Sequence, residues 1–97
     1  MIEAPKLVYW SSLGNLPRVE EALRTKQDVD AKDEGGYSAV HAAAENGHVE
    51  TLRLLIAHGA NVNPVVGDFT PLDLAIMAGK GEAAELLKQN GGTRHAG

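Results

Sequence analysis

Between residues 49 and 57 the chain reads VETLRLLIA, with Val49, Leu52, Leu55 and Ile56 at helical spacing and the charged Glu50 and Arg53 between them. Such a stripe predicts a helix over 49–57 that buries one face and stops at Gly59. The stretch before it has a different character. Ala42, Ala43 and Ala44 are small, and they predict a helix over 39–46 that another backbone approaches closely. Gly47 separates the two segments. Glycine takes the left-handed conformation of a helix terminus at little steric cost, so the second helix turns back on the first as a hairpin. Ser38 stands where its hydroxyl accepts from the first free amides of the earlier helix.

The pattern then repeats. Ser38 recurs as Thr70, Gly47 as Gly79, Leu54-Leu55 as Leu86-Leu87 and Gly59 as Gly91, each offset by 32 residues. A fainter copy lies upstream, where Gly14, Ala22-Leu23 and Asp28-Val29-Asp30 precede Gly47, Leu55-Ile56 and Asn61-Val62-Asn63 by 33. In the last copy Thr70 is followed by Pro71. That pair is a strong helix start, because proline at the first helical position gives up an amide that had no partner. Residues 28–37 and 61–69 are rich in Asp, Asn and Gly and include Pro64, which favours an extended excursion and turn over continued helix. The expected fold is all-α: a solenoid of helix-turn-helix units joined by short β-hairpin-like turns, in which each unit buries its face against its neighbours. The boundaries fall at approximately 1–33, 34–66 and 67–97, within a single domain.

Ser38-Ala39-Val40-His41 and Thr70-Pro71-Leu72-Asp73 resemble the Thr-Pro-Leu-His helix start of the ankyrin repeat, and NGHVETLRLLIAHGANVN over 46–63 is close to that family's most recognisable stretch. The outer copies depart from it. Trp10 replaces the small Ala43, Lys26-Gln27 replaces Gly59-Ala60, and Gly92-Thr93-Arg94 replaces the usual ending. Terminal units lack a neighbour on one side, so they are expected to differ as caps. The resemblance implies that the His41 ring is hydrogen-bonded within the turn network. It also implies that turn tips and first helices line a concave face that grips partners.

Composition narrows the functional classes. With 97 residues, 43% hydrophobic content and a mean hydropathy of −0.20, the chain suits one small folded domain with a thin core. It contains no cysteine, which removes disulfides, thiolate metal sites and cysteine nucleophiles together. The only apolar run near the N-terminus is Leu7-Val8-Tyr9-Trp10, too short for a secretion signal, and no run approaches membrane-spanning length. A cytoplasmic location is expected. A net charge of −4 and a pI near 5.4 count against a phosphate-binding face, so the expected partner is a protein rather than nucleic acid or membrane.

Catalytic constellations are weak. A metal reading would join His41 and Glu45, one helical turn apart, to His48 or His58, yet the pattern is not His-Glu-x-x-His and the third copy carries Asp73 in place of His41. Ser11, Ser12 and Ser38 lie in no Gly-x-Ser-x-Gly elbow, and Gly35-Gly36 and Gly79-x-Gly81 make no phosphate-cradling loop. No enzymatic activity, metal or cofactor is expected. By repeat register the turns expose Lys32, Glu34, Tyr37, Val65, Val66 and Phe69, and the ends of the first helices expose Leu13, Glu45, Asn46 and Met77. All of these except Leu13 are the candidate partner-binding residues. The competing assignment packs Tyr37 and Phe69 on adjoining turns and uses Trp10 and Leu13 to seal the first unit. Two other functional classes stand beside the binding module: a self-associating unit forming a weak homo-oligomer, and a metal-dependent protein using His41, Glu45 and Asp73.

Overall fold

The computed structural model describes residues 6–25 and 27–95. Lys26, used above for the ending of the first copy, lies outside the described residues, as do residues 1–5. Six helices follow one another: α1 (Lys6–Leu13), α2 (Leu16–Arg24), α3 (Ala39–Glu45), α4 (Val49–Ala57), α5 (Pro71–Met77) and α6 (Gly81–Gln89). They pair as three hairpins. α1 packs on α3 and α3 on α5, making an inner row, while α2, α4 and α6 form an outer row behind it. Both turns between hairpins close with one antiparallel bridge, Lys32 with Ser38 and Val66 with Phe69, and no strand is present among the described residues.

The caps sit where the sequence places them. Ser38 Oγ accepts from the His41 amide, and the His41 ring accepts in turn from the Ser38 amide, a reciprocal box that satisfies two donors at the start of α3. Thr70 and Asp73 make the same box at α5, with Pro71 inside it. Hydrogen bonds also tie one hairpin to the next. Asp30 Oδ1 accepts from the Asn61 amide at 2.8 Å, and Asn63 Oδ1 accepts from the Thr93 amide at 2.9 Å. The Asp28-Val29-Asp30 and Asn61-Val62-Asn63 triplets that mark the period in the sequence therefore supply the rungs between units.

The core is layered by side-chain size. Six of the seven α3 residues are buried, including Ala42, Ala43 and Ala44, so α1 and α5 both approach α3 closely. Behind them Leu52, Leu55 and Leu87 are fully buried and fill the space between rows. Fully burying each such leucine contributes about 1.5–3 kcal/mol, and much of that burial needs the neighbouring hairpin. Val49 and Ile56 are only half-buried, whereas Thr51, which the apolar stripe passes over, is enclosed.

Two packing details generate predictions. Ser11 occupies the repeat position of Ala44, and its hydroxyl is buried without a hydrogen-bond partner. Ser11→Ala should therefore raise stability by about 1 kcal/mol, read as a higher urea midpoint at unchanged slope, because a buried hydroxyl is desolvated for no return. An unchanged or lower midpoint would show that the hydroxyl is satisfied. Gly14 and Gly79 share a positive φ, 68° and 72°, but a methyl group on Gly14 would lie 2.5 Å from the His48 ring, whereas one on Gly79 would meet nothing within 4 Å. The His48 ring is itself anchored through Nε2 to the Ser12 carbonyl oxygen at 3.1 Å. Gly14→Ala should thus cost at least about 1 kcal/mol more than Gly79→Ala, and equal denaturation midpoints would contradict that packing.

Candidate partner-binding face

Exposed apolar side chains are unevenly distributed. Tyr9 and Leu13 on α1, Val65 and Phe69 on the second turn, and Ile76 and Met77 on α5 are the large hydrophobic residues left exposed among the described residues. None lies on an outer helix. The outer row instead shows charge, with Arg18–Glu21 and Glu50–Arg53 ion pairs one turn apart at 3.2 and 3.5 Å. Such exposed pairs contribute little stability. The two surfaces of the solenoid thus differ in kind.

The register-based site residues divide in the structure. Lys32, Glu34, Asn46, Val65, Phe69 and Met77 are exposed, Met77 at 63%. Tyr37, Val66 and Glu45 are half-buried, against the expectation of free side chains. Tyr37 is held edge-on to the His41 ring, with centroids 5.7 Å apart, and Val66 folds toward Gly36 of the preceding turn. Tyr9 and Ile76 belong to the exposed set but were not among the expected residues. The signal for Tyr9 was an aromatic residue at the repeat position of Ala42 and Leu74, both buried; for Ile76 it was a bulky residue at the position of Ser11 and Ala44.

A hollow of about 480 Å³ lies where α1, the first turn and α3 meet. Val8 and Ala42 contribute apolar surface, Tyr9 and Tyr37 contribute rings, and Asp33 and Glu45 bring carboxylates. Asp33 Oδ1 accepts from the Gly35 and Tyr37 amides at 2.9 and 3.0 Å, which fixes the turn that carries Tyr37. Ser12 and Asn46, also at this hollow, donate to the carbonyls of Tyr9 and Ala42.

The titratable side chains deeper in the fold serve its architecture. His41 is fully buried, and burial pushes its pKa below 6.5 even though the Pro64 and Phe69 backbone favours the charged ring. Because Nδ1 accepts from the Ser38 amide, the network assigns the proton to Nε2, which makes no well-formed hydrogen bond. No group of three or more metal-ligating side chains is assembled among the described residues. Asp73, the counterpart of His41, binds the C-terminal segment: Arg94 Nε donates to Oδ1 at 3.2 Å and the His95 amide to Oδ2 at 3.0 Å. Thr70 Oγ1 donates to the Thr93 carbonyl at 2.7 Å beside it. No helix among the described residues is long and apolar enough to cross a membrane.

Comparison with known proteins agrees with this geometry. The family model described as ankyrin repeats matches residues 7–95 in 3 copies. The chain is 38% identical over 66 residues to the NF-kappa-B inhibitor cactus of Drosophila yakuba, covering 66% of this chain and 14% of that protein. It is 42% identical over 62 residues to ankyrin repeat domain-containing protein 49 of Bos taurus, covering 62% and 26%. It is 37% identical over 87 residues to the ankyrin repeat and KH domain-containing protein mask-1 of Caenorhabditis elegans, covering 88% and 3%. The chain therefore spans about a quarter of the length of one of these relatives and less of the others.

Asp73 makes the fold sensitive to acid. Burial alone would raise its pKa, but the Thr70 and His95 amides, the Arg94 guanidinium and the Thr70 hydroxyl hold it down from 3.8 to about 2. A lowered folded-state pKa means that this stabilisation is complete above pH 3.8 and is lost as pH falls toward 2. Asp73→Asn should lower stability at pH 7 by roughly 1–2 kcal/mol and flatten the loss of stability below pH 4, both read from urea titrations across pH. A variant that keeps the parent's acid limb would place the titrating group elsewhere.

Proposed function

We propose that this chain, which belongs to the ankyrin repeat family, is a protein-binding module that acts as an adaptor or regulator through non-covalent recognition. Ankyrin repeats mediate protein–protein interaction, and that coarse assignment comes with the family. The finer reading places the partner on the inner row, across α1, α3, α5 and the turn tips, with the three repeats dividing near 33 and 66 as one domain. The observation that carries it is the segregation of exposed apolar side chains: Tyr9, Leu13, Phe69, Ile76 and Met77 all lie on that side. Exposed aromatic and methionine side chains beside polar neighbours have the composition of an interface core. The regulatory part is supported by a relative whose name is that of an NF-kappa-B inhibitor.

The test is a set of single alanine variants, Tyr9→Ala, Phe69→Ala and Met77→Ala, used as bait in quantitative capture from native lysate beside Arg53→Ala and Glu85→Ala on the outer row. At least one inner-row variant should weaken capture of the principal prey by more than about 1 kcal/mol, at a melting midpoint close to the parent's. The outer-row pair should bind like the parent. The reverse ranking would move the partner to the outer helices, and loss of self-association in place of prey would favour a homo-oligomer.

A further inference from the structure

We propose that the hollow between α1 and α3 receives an arginine side chain of the partner, its guanidinium set against Tyr9 and Tyr37 and paired with Glu45 and Asp33. This rests on the inner row being the binding face and adds the chemistry of the residue held at its N-terminal half. The carboxylates carry the argument. Among the described residues Glu45 makes neither an ion pair nor a side-chain hydrogen bond, although it is half-buried beside the apolar surface of Ala42. Asp33 spends Oδ1 on two backbone amides, and its Oδ2 has no hydrogen-bond partner among the described residues. Among the described residues no lysine or arginine lines the hollow, so the charged side chains that line it are of one sign. An acidic segment would be repelled. A neutral apolar one would desolvate Glu45 with nothing to pair it.

Two further features select arginine among cations. Tyr9 and Tyr37 both line the hollow, and a planar guanidinium stacks on aromatic rings while its fork reaches carboxylates, whereas an ammonium is a compact, strongly hydrated point charge. The chain builds the same triad for itself at its N-terminal end. There the Arg18 guanidinium lies 5.5 Å from the centre of the Trp10 ring and donates to Glu21 at 3.2 Å. The hollow repeats two of those three parts, the aromatic surface and the carboxylate, and lacks the arginine.

The experiment is an NMR titration of the whole chain with three blocked tripeptides: acetyl-Ala-Arg-Ala-amide, its citrulline counterpart, which keeps the shape and loses the charge, and acetyl-Ala-Glu-Ala-amide. The arginine peptide should give saturable shifts centred on Tyr9, Tyr37, Ala42 and Glu45, weakening with added salt. The citrulline peptide should bind at least about fivefold more weakly, and Glu45→Gln should weaken the arginine peptide by a similar factor. Equal binding by citrulline or by the acidic peptide, or shifts centred elsewhere, would overturn the proposal without any variant having to fold. Shifts of the same residues on raising protein concentration alone would give the hollow to a second copy and also overturn it. If the inner-row variants weaken capture of the native prey while the arginine peptide fails, the binding face stands and the arginine assignment falls.

Discussion

The close approach of α3 to both inner neighbours is the constraint on which the other features depend. It requires small side chains on α3, and Ala42, Ala43 and Ala44 meet it while being almost completely excluded from solvent. Small residues alone contribute little burial energy, so the bulk must come from the outer row, where Leu52, Leu55 and Leu87 lie behind the inner helices. The large residues in turn leave water only when the next hairpin is in place. Stacking, not the individual hairpin, is thus the stable unit, and the Asp30 and Asn63 hydrogen bonds hold the spacing that stacking needs.

Much of this architecture was legible in the sequence, because its signals are local. A capping hydroxyl before a helix, a glycine after it and an apolar stripe at helical spacing each depend on residues a few positions apart. They placed all three hairpins and both boxed starts. What escaped depends on contacts far apart in the chain. Thr51 is polar by type yet enclosed, and the choice between contact and packing for Tyr37 turns on its T-shaped meeting with the His41 ring. Tyr9 sits in the most divergent copy, where alignment to Ala42 gave no hint that the side chain would stand 58% exposed. The grip of Asp73 on Arg94 and His95 spans 21 and 22 residues and has no local mark at all.

The two ends of the stack are finished by different chemistry. At the start, Trp10 takes the place of a small alanine and is half-buried under the Arg18 guanidinium, so an aromatic ring is screened by a charged residue that water solvates. At the other end the segment around Thr93, Arg94 and His95 is fastened to Thr70 and Asp73. The capping box of α5 therefore has a second task. Its aspartate completes the helix start and simultaneously anchors the segment that follows α6, whereas His41 at the same position in the middle copy makes the box with Ser38 and stands against the Tyr37 ring.

At the ends of the inner helices the copies also differ where stacking leaves side chains free. The position after the buried inner stripe is Ser12 in the first copy, Glu45 in the second and Met77 in the third, and the next is Leu13, Asn46 and Ala78. Along these two positions a bound segment would meet serine and leucine, then a carboxylate and an amide, then methionine and alanine. That order is apolar, acidic, apolar. A ligand that satisfies the ends without a cation in the middle leaves Glu45 desolvated and unpaired, and one with a cation but no apolar flanks leaves Met77 and Leu13 in water. If the inner row is the binding face, its selectivity would rest on the spacing of unlike groups along one bound segment.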